Sequence, residues 1–166
     1  KYDSTNGMTS LGTLTGGTSS IAQAISSDGS VIVGWSTSSS EGIRAFKYDS
    51  TNGMTSLGTL TGGTSSNAYG ASSDGSVVVG YSGSTNGNRA FKYDSTNGMT
   101  SLGTLTGGAS SIAYGVSGDG TVIVGESSSA NSNLAFTYDS TNGMTSLGTL
   151  TGGTTSRAKD VSNDGS

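Results

Sequence analysis

The sequence predicts an all-β protein of tandem four-stranded repeats, each about 45 residues long and arranged like the blades of a β-propeller. Three observations predict it. The segment Tyr48-Asp-Ser-Thr-Asn-Gly-Met-Thr-Ser-Leu-Gly-Thr-Leu-Thr-Gly-Gly63 occurs four times without a change, beginning at Tyr2, Tyr48, Tyr93 and Tyr138. Glycine turns recur in register, as Asp28-Gly29, Asp74-Gly75, Asp119-Gly120 and Asp164-Gly165. Short β-branched runs come after the first three of these, namely Val31-Ile-Val, Val77-Val-Val and Val122-Ile-Val. An open β-solenoid or helical repeat array is the alternative, because four repeats would make an unusually small ring.

The repeat that begins near Ile21 is complete and shows each element in turn. Residues 21–26 suit a first strand, with Ala22 and its equivalents Ala68, Ala113 and Ala158 small where repeats approach closely. Asp28-Gly29 supplies the positive φ of a tight hairpin. The run at 31–36 is continuously apolar up to Trp35, which predicts a second strand covered on both faces and the most buried of the four. Residues 37–43 vary most between repeats, against 83–88 and 127–133, and mark the loop that meets solvent or a partner. A third strand spans 44–49, with Phe46 and Tyr48 on one face. Asp49 then forms an Asx-turn that leads through Asn52-Gly53 into a fourth strand at 54–60. Met54, Leu57 and Leu60 do not alternate strictly, so this strand carries a bulge or is shorter than its sequence span. No helix is required.

Composition narrows the function classes. Only 11% of the 166 residues are charged, the net charge is −4, and the seven Lys and Arg residues are scattered, so neither nucleic acid nor an anionic membrane suits the surface. No apolar stretch approaches a membrane span. Cysteine and histidine are both absent, which excludes Ser-His-Asp and Cys-His nucleophilic catalysis and disulfide stapling. Stability must then come from repeat stacking on repeat, so residues 1–166 are one array. Lys1 stands mid-repeat and Ser166 precedes an expected apolar run, which suggests an excerpt of a longer array over a ring with one segment missing.

The pattern Ala-Phe-x-Tyr-Asp-x-x-x-Gly-Met-x-x-Leu-Gly-Thr-Leu-x-Gly-Gly, continued by Ser-x-Ala and then Asp-Gly-x-Val-x-Val-Gly, resembles the bacterial extracellular HAF repeat across essentially the whole chain. The histidine of that family is replaced by Arg44, Arg89 and Leu134. The Tyr-Asp hairpin is also similar to the turn of kelch blades. What the HAF resemblance implies is a secreted or cell-surface location and no particular reaction.

Candidate sites are few. Asp3, Asp49, Asp94 and Asp139 are oxygen donors of the type Ca²⁺ takes, but each stands alone before Ser-Thr-Asn-Gly and is accounted for by the turn; no metal or cofactor is expected. Glu41 and Glu126 are expected in variable loops without a companion, so no enzyme is expected. Near-identical repeats differ at Ile21, Asn67, Ile112 and Arg157; at Gln23, Tyr69, Tyr114 and Lys159; and at Trp35, Tyr81 and Glu126. A position that exchanges Trp for Glu is expected to be exposed. Trp35, Tyr69, Tyr81 and Tyr114 are therefore the candidate surface for a ligand or partner, with coverage of blade edges as the simpler role. The functional expectation is a non-enzymatic extracellular structural or interaction protein, such as a filament, surface-layer or adhesin element. It would associate with itself, with neighbouring repeats or with surface proteins; a glycan-binding propeller is the alternative.

Overall fold

The computed structural model describes residues 1–166, the side chain of Asp3 apart. A short hairpin, β1 (Tyr2–Asp3) and β2 (Gly7–Met8), precedes three antiparallel four-stranded sheets. The first holds β3 (Ser20–Ile25), β4 (Ile32–Ser38), β5 (Gly42–Asp49) and β6 (Gly53–Ser56). The second holds β7 (Ser66–Ala71), β8 (Val78–Ser82), β9 (Arg89–Asp94) and β10 (Gly98–Gly103). The third holds β11 (Ser111–Val116), β12 (Ile123–Ser128), β13 (Asn133–Asp139) and β14 (Gly143–Gly148). Strands pair in chain order within each sheet, and no helix occurs among the described residues. The expected four-stranded repeat is what the chain forms.

Successive sheets pack as blades. β7 lies against β3, β4 and β5 of the preceding repeat, and β11 against β7, β8 and β9, so the first strands run side by side along the inner axis. Each core therefore belongs to two repeats. Val31, Val33, Ala45 and Leu57 are buried with Ala68, Val78 and Phe91 of the next sheet, and Tyr93 and Met99 close over them. The same set recurs one repeat on, where Leu102 and Leu105 pack with Ile123 and Phe136 under Tyr138 and Met144. The second strand is the most buried of the four, as the β-branched runs predict.

The fourth strand behaves as its broken alternation predicts. β6 ends at Ser56, and β10 and β14 carry register shifts at Ser101/Gly103 and opposite Ala135/Phe136. A second irregularity lies in the first strand, where Gln23, Tyr69 and Tyr114 are each bulged out between paired neighbours. Gly34, Gly80 and Gly125 oppose these bulges so closely that a Cβ there would stand about 2.0 Å from the carbonyl oxygen of Ile21, Asn67 or Ile112. Only glycine fits that crossing.

Buried serines bind one repeat to the next. Ser36, Ser82 and Ser127 accept hydrogen bonds from the backbone N–H of Leu14, Leu60 and Leu105 at 2.9, 3.0 and 2.9 Å. Ser66 and Ser111 accept from Ala45 and Ala90 of the preceding sheet, each at 2.9 Å, and donate to the carbonyls of Gly58 and Gly103. At the opposite end the Asp-Gly turns join through their backbones, Asp28 N–H to Ser73 O, Ser73 N–H to Gly118 O and Gly118 N–H to Asn163 O. Gly75 sits directly on Val31, with φ +66°, so the turn glycine serves both its own hairpin and the junction.

Candidate functional site

Six of the positions at which the repeats differ, Tyr69, Tyr81, Tyr114, Glu126, Arg157 and Lys159, come together as a seam. The bulge at Tyr69 turns its ring toward two others: Tyr81 of the same sheet, stacked at 6.0 Å, and Tyr114 of the next, tilted at 5.5 Å. Lys159 Nζ stands 3.6 Å from the centre of the Tyr114 ring, and the Arg157 guanidinium lies 5.8 Å from it. Tyr114 Oη donates to Glu126 Oε1 at 2.6 Å, and Arg157 Nε donates to Glu126 Oε2 at 2.6 Å. The Glu126 side chain is only 12% exposed, so its charge is answered by a neighbour from the next repeat. Burial, then the bond to Glu126, raises the Tyr114 phenol above its ordinary value, while burial raises that of Tyr69.

Beside the seam is a polar trough of about 350 Å³, lined among others by Ser27, Tyr69, Tyr114, Lys159, Asp160 and Asn163. It runs along the inner axis. The first strands approach each other closely here, since a Cβ on Gly70 would meet Tyr114 O at 2.9 Å and one on Gly115 would meet Asp160 Cα at 3.0 Å.

Trp35, Tyr81 and Glu126 are half-buried, as are Tyr69 and Tyr114, which corrects the expectation that they are exposed. The Glu is tolerated at this half-buried position because Tyr114 of its own sheet and Arg157 of the next repeat answer its two oxygens. Tyr69, Tyr81 and Tyr114 are brought together; Trp35 is not. It pairs in register with Ile21 and Ala45, and among the described residues no ring contact joins it to the tyrosines. Sequence reasoning missed the roles of Arg157 and Lys159 as partners of Glu126 and Tyr114. Their signal was present, because both stand at positions already marked as variable.

The aspartates of the Tyr-Asp and Asp-Gly turns are committed to those turns. Asp49 accepts from the backbone of Thr51 and Asn52 and from the Asn52 amide, and the Asn52 bond holds its carboxyl below the usual range; Asp94 and Asp139 do the same with Asn97 and Asn142. The Asp3 side chain lies outside the described residues. Asp28 and Asp119 are lowered first by Ser26 and Ser117, and Asp74, bonded to the Ser76 backbone and the Ser72 hydroxyl, falls to about 2. Among the described residues no three acidic side chains converge as a metal site would require. Arg44 donates to Thr64 O at 2.8 Å, and Leu134 at the equivalent place packs on the core instead.

Comparison with solved structures identifies the architecture. The chain is similar to TolB from Acinetobacter baumannii, with a TM-score of 0.62 and 23% identity over 89% of this chain. The match covers 36% of the TolB chain, so the protein spans about a third of that structure's length. At this identity the likeness establishes a β-propeller fold and nothing about activity. No protein-family model and no curated protein sequence matches the chain.

Proposed function

We propose that the protein is a non-enzymatic, extracellular structural or interaction propeller that associates through repeat faces, with itself or with neighbouring repeats, as a filament, surface-layer or adhesin element would. One observation carries this reading. Leu147 and Leu150 are 57% and 89% exposed, whereas Leu102 and Leu105, their equivalents one repeat earlier, are each 7% exposed beneath the next sheet. At the other end Tyr2 and Met8 are exposed, although their equivalents Tyr138 and Met144 cover a leucine pair. The two faces are complementary, and the internal junctions show what fits them: another repeat of the same kind. The HAF resemblance supports the extracellular location. The engagement of the carboxylates and buried serines in turns and junctions supports a scaffold over an enzyme. Electron microscopy with light scattering across concentration tests the proposal: fibres or stacked oligomers are expected, and a monodisperse monomer at every concentration would refute it.

Glycan binding is the second reading, favoured by the tyrosine cluster beside the polar trough. The tilted packing of Tyr69 against Tyr114, and of Lys159 over Tyr114, leaves those rings little free face, so Trp35 and Tyr81 are the residues to test. A glycan array with no signal, or binding unchanged by Trp35→Ala and Tyr81→Ala, would remove it.

A further inference from the structure

We infer that the variable seam is a neighbour-recognition surface, whose side chains fix which repeat of this chain stands beside which. Its partner is the adjacent repeat. The inference does not depend on whether the assembled protein is a filament or a lectin.

The need for such a surface arises from the repeats themselves. The sixteen-residue segment is identical in all four copies, and Leu57, Phe91 and Met99 have counterparts at every complete junction. Core packing and the serine bonds would be satisfied equally by a correct neighbour and by a neighbour one repeat out of order. Identical interfaces in tandem invite swapped and slipped pairing. Discrimination must therefore come from positions that differ.

Those positions differ in kind from junction to junction. Around the first full junction stand Gln23, Trp35 and Asn67, all uncharged. Across the second, Tyr69 meets Tyr114 ring to ring, with Tyr81 stacked behind. Across the third, Glu126 meets Arg157 and Tyr114 meets Lys159. A slip by one repeat would bring Arg157 to the place of Ile112, beside Tyr81, and leave Glu126 half-buried without its cation. An ionised carboxylate in that setting is costly, whereas the correct neighbour supplies Arg157 to Oε2 while Tyr114 of the same sheet holds Oε1.

Transposing the seam within the full chain tests this. Tyr81→Glu combined with Glu126→Tyr keeps the composition but places the acid at the second junction, opposite Ile112. Adding Ile112→Arg and Arg157→Ile moves the cation along with it. The twofold variant is expected to melt lower than the parent by at least about 2–4 °C and, refolded from urea at low concentration, to give swapped dimers by light scattering. The fourfold variant is expected to recover the parent's melting point and its distribution of species. If the twofold variant matches the parent in both measurements, or if the fourfold variant recovers neither, the seam is filling space and the inference is wrong.

Discussion

Leu102 and Leu147 occupy the same place in successive copies of an identical segment, yet one is buried beneath the next sheet and the other lies open. Their local sequences, turns and strand pairings match, so the difference is made wholly by the sheet that covers Leu102 and has no counterpart over Leu147. A blade of this chain does not own its core. It contributes half of each of two cores, and its strands are held by the neighbour's Phe, Tyr and Met side chains on one side and by its own Leu pair on the other. Stability is then a property of junctions, as expected of a stacked array.

The comparison can be broken most sharply by truncating its largest buried member. Phe91→Ala removes a fully buried ring shared with the preceding repeat and is expected to destabilise by about 3–5 kcal/mol in denaturant unfolding. Leu102→Ala should cost about 2–5 kcal/mol, whereas Leu147→Ala, the same substitution in the same sequence context, should stay within about 0.5 kcal/mol. A smaller effect is expected at Ser82→Ala, which orphans the Leu60 N–H in the junction and should cost about 1–3 kcal/mol. Smaller still, and of opposite sign, is Asn67→Ile. Asn67 Oδ1 is buried without a partner, and the equivalent residues in the repeats on either side are isoleucines, so this change should stabilise by roughly 1 kcal/mol.

Acid unfolding sharpens the same contrast from the turns. The folded-state value of Asp74, about 2, lies below the ordinary 3.8, so its turn bonds favour the folded protein when the carboxylate is ionised. That contribution is whole above about pH 4 and fades as pH falls from 3.8 toward 2. Asp28 and Asp119, lowered by equivalent serines, should act in the same direction. Melting points recorded from pH 6 to pH 2 should fall only in that acidic range, and Asp74→Asn should flatten the fall.

Much of the fold is legible in the residues. The period, the four strands, the Asp-Gly and Asn-Gly turns and the irregular fourth strand all rest on local chemistry, and local chemistry is written in sequence. What escapes is what two repeats do together. Nothing in Ser36, Ser66 and Ser82 as residue types marks them as buried acceptors for a neighbour's backbone, and only their unvarying place in each copy hints at it. The first-strand bulge is equally hidden, because nothing in Ala68-Tyr69-Gly70 marks an unpaired residue until the opposing Gly80 is seen crossing beneath it. Trp35, Tyr81 and Glu126 read as surface positions on the premise that a core position keeps its volume. A half-buried position can instead change in kind where its neighbours change with it, as Glu126 does with Arg157.

The most direct test of stability by junction is native-state hydrogen exchange at two equivalent amides. Leu105 N–H donates to the buried Ser127 at 2.9 Å, and Leu150 stands at the same place in the next copy with its side chain 89% exposed. Protection of Leu105 approaching that of the most stable strands, with Leu150 exchanging orders of magnitude faster, is the predicted result. Equal protection at the two sites would contradict the account, because it would mean that each blade holds its own structure without the next.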